Sequence, residues 1–206
     1  EMGAGKGTLA RLTLRYLEQN HPDLYETLDY AIVEISQGLR EQQRHSLGAL
    51  PAQWIRGSAV ELPGLADIEG IFISNELPDA FPVHLVKFDG RGELSEIYIT
   101  YSQSGDDIFF EEVLGAVSTQ RIRDYIELLQ TIRDTELIEE MLDARGPGMA
   151  VNLDMIEWQA SLARALRRGY IITIDYGFGR DLIPTYPIRA FSRFFKQLYT
   201  EFDRPE

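Results

Sequence analysis

The feature that most limits how this chain can fold is its glycine-rich start, EMGAGKGT, in which Gly3, Gly5 and Gly7 are each separated by one residue. Glycine lets the backbone turn sharply and lets a ligand approach without meeting a side chain. Apolar residues then recur at roughly helical spacing over Thr8–Asn20, which predicts a helix directly behind Gly7. Glycine turns of this kind normally sit at the carboxyl edge of a parallel sheet. The start of the chain therefore predicts an α/β fold.

Strands and helices alternate along the rest of the chain. This alternation predicts a single α/β domain over residues 1–206, with a mostly parallel sheet, helices on both faces and ligand-binding residues at the strand ends. We expect the fold to be incomplete at both ends, because no strand precedes the glycine loop and further strands are expected after Gly177. The predicted strands are Tyr30–Ile35, Gln53–Ile55, Ile68–Ser74 and Tyr170–Ile174, and we expect all of them except Gln53–Ile55 to be buried. The predicted helices are Leu39–Leu47, Arg121–Leu142 and Leu153–Arg168. Gly169 is expected to end the last of these helices.

The middle of the chain has a different pattern. Three segments, Leu85–Phe88, Glu96–Tyr101 and Ile108–Glu111, are separated by turn residues at Asp89-Gly90 and near Gly105. Short alternating runs with such turns are typical of antiparallel strands. We therefore expect an antiparallel insertion at about residues 85–148 of the domain.

The charge of the chain limits its partners. There are 20 Lys and Arg against 33 Asp and Glu, a formal net charge of −13. Such a surface repels a phosphate backbone, so we expect no nucleic acid and a cationic partner instead. We see neither a membrane span nor a signal peptide, which favours a protein inside the cell. With no cysteine and three scattered histidines, a disulfide framework and a thiolate metal site are excluded, and no metal is expected.

Two kinds of nucleotide site contain a glycine loop like this one. A phosphate-binding P-loop, as in the adenylate kinases, shares GAGKGT, but Glu1 would place a carboxylate beside the phosphates. A nucleoside-binding loop requires an acidic residue at the end of the next strand to accept the ribose hydroxyls. Glu34 ends YAIVE, 34 − 7 = 27 residues after Gly7. The loop and Glu34 therefore favour NAD or S-adenosylmethionine (SAM) over a triphosphate.

A third strand end carries an amide and two carboxylates. Asn75, Glu76 and Asp79 follow the predicted strand Ile68–Ser74 in the segment SNELPDAFPVH. Apolar residues flank them on both sides, so we expect partial burial and a functional role for these carboxylates.

These segments together resemble the MidA family of class I SAM-dependent methyltransferases. The resemblance rests on EMGAGKGTLA, IVEIS with LREQQ, SNELPDAFPVH and LARALRRGYIITIDYG, and it extends from Glu1 to about Gly177. It implies a Rossmann-like methyltransferase sheet with SAM as the cofactor. It also implies that SAM is held by Glu1, Gly3, Gly5, Gly7 and Glu34, that Asn75, Glu76 and Asp79 lie where cofactor and substrate meet, and that Asp175-Tyr176-Gly177 lines the same cleft.

The family resemblance further implies methyl transfer to a protein, and its mitochondrial members methylate an arginine during assembly of respiratory complex I. That would place the protein in the mitochondrial matrix of a eukaryote or in the cytoplasm of a bacterium. Paired carboxylates can fix the plane of a guanidinium, and we assign that role to Glu76 and Asp79, with Asp175 in reserve.

Two other functions stay open from the sequence. One is a SAM-binding assembly factor that acts mainly through protein contacts, with Leu85–Glu112 and Arg121–Leu142 as docking surfaces. The other is a P-loop nucleotide kinase.

Overall fold

The computed structural model describes residues 1–61, 64–132, 139, 142, 143 and 148–176. Within this part the chain forms two compact units. The first combines Glu1–Phe81 with Asp154–Tyr176, and the second is Pro82–Leu153.

The first unit is built on parallel strands that meet at Met2. Strand β1 (Ala31–Glu34) pairs with β2 (Gln53–Arg56), and β3 (Ile68–Asn75) pairs with β8 (Leu166–Ile174), both in parallel. Met2 forms parallel bridges to β1 on one side and to β3 on the other. The order across the sheet is therefore β2, β1, Met2, β3, β8.

Helices pack against both faces of β1. The helices of this unit are α1 (Thr8–Asn20), α2 (Pro22–Thr27), α3 (Gln37–Leu47) and α5 (Leu153–Ala165). Ile32 is buried with residues of α1 and α3, whereas the next residue, Val33, is buried with Trp158 and Leu162 of α5. Successive side chains of a strand point to opposite faces, so the two helix groups lie on opposite sides of β1.

The second unit is an antiparallel sheet in the order β6, β5, β4, β7. Its strands are β4 (His84–Phe88), β5 (Leu94–Ser104), β6 (Asp107–Ala116) and β7 (Met149–Val151), and its described helix is α4 (Gln120–Ile132). Val86, Met149 and Val151 of the sheet are buried with Ile122 and Ile126 of the helix. Apolar contact between one sheet face and α4 therefore forms the core of this unit.

Most predicted elements are present with small changes at their ends. Helix Thr8–Asn20 has the predicted bounds, and the antiparallel strands of the middle region are confirmed but longer than predicted. Two short elements, α2 and β7, are not predicted from the sequence. The predicted helix Arg121–Leu142 is described as a helix up to Ile132, and most of the remainder lies outside the described residues.

The predicted end of the helix Leu153–Arg168 is wrong. The helix ends at Ala165, and Arg167, Arg168 and Gly169 belong to β8. Gly169 has φ 141° and lies opposite Gly70 of β3, where a Cβ atom would collide with the carbonyl oxygen of Gly70. Glycine is required here by close backbone approach between two strands and does not cap a helix.

The predicted burial of Tyr170–Ile174 is also wrong. Tyr170 is 71% exposed, and Ile171, Ile172 and Ile174 are exposed as well. Strand β8 pairs with β3 on one edge, and no described strand pairs with its other edge. An apolar run shows that a strand can be buried, but burial needs a second layer, and the described residues supply none over Tyr170–Ile174.

We predict that Gly169→Ala lowers the free energy of unfolding of the first unit by about 3 kcal/mol, because Gly70 and Gly169 are both held in register within the strand pair. Urea unfolding followed by fluorescence of Trp54 and Trp158, both in this unit, measures the change. The control is Gly38→Ala near the start of α3, where the nearest atom to a new Cβ is Ser36 Oγ at 4.0 Å. Equal stability of the two variants would contradict the close approach of the strands.

Candidate functional site

The candidate site lies at the carboxyl edge of the parallel sheet in the first unit. Val33, Met2 and Ser74 are bridged at one level of the sheet, and Ser74 is in turn opposite Thr173. The residues that follow them are Glu34, Gly3, Asn75 and Ile174. Neighbouring strands are about 5 Å apart, so the backbones at Glu34 and Asn75 are separated by about 10 Å with the glycine loop between them. The pairing register thus brings together three of the predicted site segments.

The glycine loop connects the central bridge to α1. The Gly3 N–H donates to Val33 O at 3.2 Å, and the Gly7 N–H donates to Ala4 O at 2.8 Å. Gly3, Gly5 and Gly7 have φ values of 66°, 53° and 77°, a region that strongly favours glycine. The loop therefore needs these glycines for its own conformation.

The three glycines differ in what surrounds them. A Cβ atom on Gly3 would meet Leu77 Cδ1 at 2.8 Å, and one on Gly7 would meet Leu47 Cδ1 at 2.8 Å. A Cβ atom on Gly5 would have no atom within 4 Å. Gly3 and Gly7 are thus required by packing, whereas the space beside Gly5 is open to a ligand.

The side chain of Glu1 is bound to a neighbouring tyrosine. Tyr30 Oη donates to Glu1 Oε2 at 2.7 Å. Burial raises the pKa of Tyr30, and the hydrogen bond and charge of Glu1 raise it further. Tyr30 consequently remains a hydrogen-bond donor at neutral pH, and it orients the Glu1 carboxylate at the start of the loop.

Glu34 is buried, 6% exposed, and fixed by a hydrogen-bond network. Its Oε1 accepts from the Ser36 N–H at 2.9 Å, and its Oε2 accepts from Gln43 Nε2 at 3.1 Å. Gln43 Nε2 also donates to Gly5 O at 2.9 Å, and Gln43 Oε1 accepts from Trp54 Nε1 at 3.1 Å. Gln43 thereby links the glycine loop directly to the acidic residue at the end of β1.

Two residues of this network have no role assigned from the sequence. Gln43 is fully buried, and Arg40 Nη1 donates to Glu34 O and Ile35 O, each at 2.9 Å. Both residues lie in LREQQ, a segment that carries part of the family resemblance. Two polar side chains three residues apart share a helix face, which is the local signal that could have indicated a buried role.

Asn75, Glu76 and Asp79 are exposed, so the expected partial burial of the two carboxylates is wrong. Glu76 has φ 51°, which is unusual for a residue other than glycine, and its N–H donates to Ile174 O at 2.8 Å. Asp79 lies in a short 3₁₀ turn, Pro78–Ala80. Only the backbone of Glu76 is held by the sheet, and both carboxylates face solvent.

The end of β8 places Asp175 at the same edge. Ile174 is opposite Asn75 in the strand register, and Asp175 follows it with Oδ1 accepting from the Tyr176 N–H at 2.8 Å. Asp175 and Tyr176 are exposed, whereas Gly177 lies outside the described residues. Three strand ends and the glycine loop therefore contribute candidate residues to one sheet edge.

The family model described as "Putative S-adenosyl-L-methionine-dependent methyltransferase" matches residues 1–199. The chain belongs to this methyltransferase family. The cofactor of the family is SAM. No curated protein matches the chain.

A solved structure supports the same assignment. The chain is similar to a COG1565 superfamily member from Burkholderia thailandensis, described as a "likely methyl transferase" and crystallised with S-adenosyl-homocysteine. The identity is 25% and the TM-score is 0.61, over 86% of this chain and 41% of the other. The chain therefore spans less than half the length of that methyltransferase.

The described residues contain neither a cluster of metal-ligating side chains nor a long apolar helix. Among those residues, no group of three or more His, Asp or Glu side chains is placed to hold a metal ion. No helix described in the structure combines the length and the hydropathy that crossing a membrane requires.

The second unit contains a buried carboxylate that is not predicted from the sequence. Glu96 Oε1 is 2.7 Å from His84 Nδ1, and Glu96 Oε2 accepts from the Ser118 N–H at 2.7 Å and from Tyr98 Oη at 3.1 Å. Burial raises the pKa of Glu96, but the hydrogen bonds from His84, Ser118 and Tyr98 together outweigh it and lower the pKa to about 2. Glu96 therefore joins β4, β5 and the segment before α4.

We predict that Glu96 stabilises the second unit above about pH 4.5, its ordinary pKa, and that this contribution is lost as the pH falls towards about 2. The stability difference between the parent and Glu96→Gln should be largest at neutral pH and should shrink below pH 4.5. Hydrogen exchange of the β4 and β5 amides across this pH range measures it. Glu112→Gln, at an exposed position on β6, is the control. A difference that does not vary with pH would contradict the lowered pKa.

Proposed function

We propose that the first unit binds SAM and transfers its methyl group to a cationic side chain. The observation that carries this proposal is the alignment of Glu34, the glycine loop and Asn75 at the carboxyl edge of a parallel sheet, in a chain of a SAM-dependent methyltransferase family. The strand order β2, β1, Met2, β3, β8, with helices on both faces of β1, supports a Rossmann-like class I methyltransferase sheet.

The described residues fit a nucleoside cofactor. The open space beside Gly5 allows close approach of a ligand to the loop backbone, and the N-terminus of α1 follows immediately. Each carboxylate oxygen of Glu34 accepts one hydrogen bond within the described part of the chain and can accept a second. We assign the ribose hydroxyls to Glu34 and the remainder of SAM to Glu1, Gly3, Gly5, Gly7 and Asn75.

Bound SAM supplies an electrophilic methyl group on a sulfonium. The residues of the chain then have to bind the acceptor, orient it and exclude water. Glu76, Asp79 and Asp175 present negative charge at the sheet edge, and Asn75 presents an amide. Carboxylates bind a guanidinium through two parallel hydrogen bonds, and we propose an arginine of a protein as the acceptor.

The more specific proposal for the substrate rests on the resemblance to the MidA family. We propose that the protein methylates an arginine of a respiratory complex I subunit, in the mitochondrial matrix or the bacterial cytoplasm according to its source. The net charge of −13 suits a basic protein substrate. Mass spectrometry of complex I subunits incubated with the protein and isotope-labelled SAM tests this assignment.

The two alternative functions, a SAM-binding assembly factor and a nucleotide kinase, are not equally supported. A SAM-binding assembly factor is favoured by the exposed apolar side chains of β5 and β6, which suit protein contacts. Radiolabelled methyl transfer separates this role from an enzyme, since both would bind SAM. A nucleotide kinase has no support from the family match.

We predict that Gly5→Val weakens SAM binding by about a hundredfold or more, because a branched side chain would fill the open space beside the loop. The control is Gly48→Val at the end of α3. Gly48 also has a positive φ, 59°, and equally open surroundings, so its variant places a branched side chain at a similar φ away from the loop. Isothermal titration with SAM should show a loss for Gly5→Val alone. Equal affinities in the two variants would mean that the loop does not bind SAM.

We predict that Glu76→Gln lowers methyl transfer about a hundredfold and leaves SAM affinity within about twofold, because the carboxylate contacts the acceptor and not the cofactor. Asp79→Asn should have a smaller effect, since the backbone of Asp79 lies in a single turn while that of Glu76 is bonded to β8. Transfer of labelled methyl to an arginine-containing protein measures both. Glu18→Gln, exposed on α1, is the control. Full activity of all three variants would disprove the clamp and leave the SAM site untouched.

A further inference from the structure

The outer parts of β5 and β6 form a two-stranded ribbon, which we define as Ile97–Ser104 and Asp107–Leu114. These segments pair with each other in antiparallel register from Ile97 opposite Leu114 to Ser104 opposite Asp107. Strand β4 reaches only Leu94–Glu96 of β5, so in the described part of the chain no third strand pairs with the ribbon. The outer edge of β6 therefore presents backbone N–H and C=O groups that are available for pairing.

One face of the ribbon carries large apolar side chains. Tyr101 and Phe110 are directly opposite each other, and Ile99 and Ile108 lie on the same face. Phe110 is 74% exposed, and the other three are 56–67% exposed. A two-stranded hairpin is only marginally stable by itself in water. An exposed apolar cluster on such a ribbon is typical of a protein-binding surface.

The charges on the ribbon all have the same sign. Asp106 and Asp107 lie at its turn, Glu111 and Glu112 lie in the middle of β6, and residues 97–114 include no Lys or Arg. Glu112 is opposite Ile99 and shares the face of Phe110, so acidic and apolar groups are mixed on one surface. A partner that matches this surface needs apolar side chains together with positive charges.

A second copy of the chain matches the surface poorly. Two-fold antiparallel pairing of two β6 strands (Asp107–Ala116) near their midpoint would place Glu111 opposite Glu111 of the other copy, or Glu112 opposite Glu112, because opposed side chains share a face. Like charges directly opposite each other destabilise a strand pair. A strand with Lys or Arg at those positions would instead form cross-strand ion pairs.

We propose that the ribbon is a docking site for an extended protein segment in which apolar residues alternate with Lys or Arg. The segment adds to the outer edge of β6 as a new strand, held by backbone hydrogen bonds. Its apolar side chains lie on the face of Phe110 and Ile108, and its positive charges lie on the opposite face, beside Glu111. The contact does not depend on methyl transfer, and it is measured without SAM.

The experiment uses a labelled twelve-residue peptide of alternating valine and lysine, titrated into the 206-residue protein by fluorescence anisotropy. We expect it to bind, more weakly at higher salt, whereas a valine–glutamate peptide should not bind. A valine–lysine peptide with proline at every fourth position should bind at least about tenfold more weakly, because proline cannot donate to a strand. Hydrogen exchange should show new protection in β6 when the first peptide is bound.

Variants locate the site. Phe110→Ser and the double change Glu111→Gln with Glu112→Gln should each weaken the peptide about tenfold, and the double change should also reduce the salt dependence. The double change keeps the shapes of the side chains, so it tests the site even if Phe110→Ser unfolds the ribbon. The matched controls are Leu128→Ser and Glu127→Gln on α4, where Leu128 is 55% exposed, and they should bind as the parent does.

Three outcomes would overturn the proposal. The first is equal peptide affinity in the parent and both ribbon variants, which would mean that the peptide binds elsewhere on an acidic surface. The second is unchanged exchange of the β6 amides when the peptide is bound. The third is a dimer, seen by sedimentation velocity, that Phe110→Ser dissociates and the peptide does not displace, since a second copy would then occupy the ribbon.

Discussion

The pairing of Met2 on both of its sides determines where every candidate site residue of the first unit lies. Its N–H donates to Ile73 O at 2.9 Å, and the flanking backbone exchanges hydrogen bonds with Val33. Its side chain is buried, and Trp158 Nε1 contacts Sδ at 3.3 Å. One residue thus joins β1 to β3 through its backbone and to α5 through its side chain. Without this link, the two parallel pairs would not share an edge.

The acidic residues at that edge have two different environments, and the difference follows from their neighbours. Glu34 is buried and accepts hydrogen bonds from Ser36 and Gln43, so its position is fixed before any ligand binds. Glu76 is exposed, and only its backbone is held. A fixed carboxylate suits a cofactor of constant shape, because no side-chain entropy is lost on binding. An exposed one is accessible to an acceptor side chain that has to enter and leave. The left-handed backbone at Glu76 is the kind of strain that is concentrated at functional sites.

Local sequence signals were sufficient to predict an element or a site residue wherever its position depends on neighbours along the chain. Gly7 and His21-Pro22 delimit α1, so both of its ends could be predicted. The strand ends at Glu34 and Asn75 could also be placed to within one residue, because polar residues follow short apolar runs there. Gln43 could not be assigned, since its contact with Gly5 spans 38 residues. Gly169 was misread because a glycine after basic residues is equally typical of a helix end, and only its partner, Gly70, distinguishes the two.

The two exposed acidic surfaces differ in how they can use their charge. Glu76 and Asp79 occupy a few residues after β3, whereas the ribbon combines three acidic residues with an apolar face and an open strand edge. Exposed charges act over about 8 Å at physiological salt, so by themselves they raise the rate of encounter with a basic protein more than they select one. Backbone pairing and apolar contact persist at that salt concentration and have a defined register. If a basic protein is the substrate, its selection should therefore depend mainly on the ribbon, and Glu76 and Asp79 need only recognise the guanidinium.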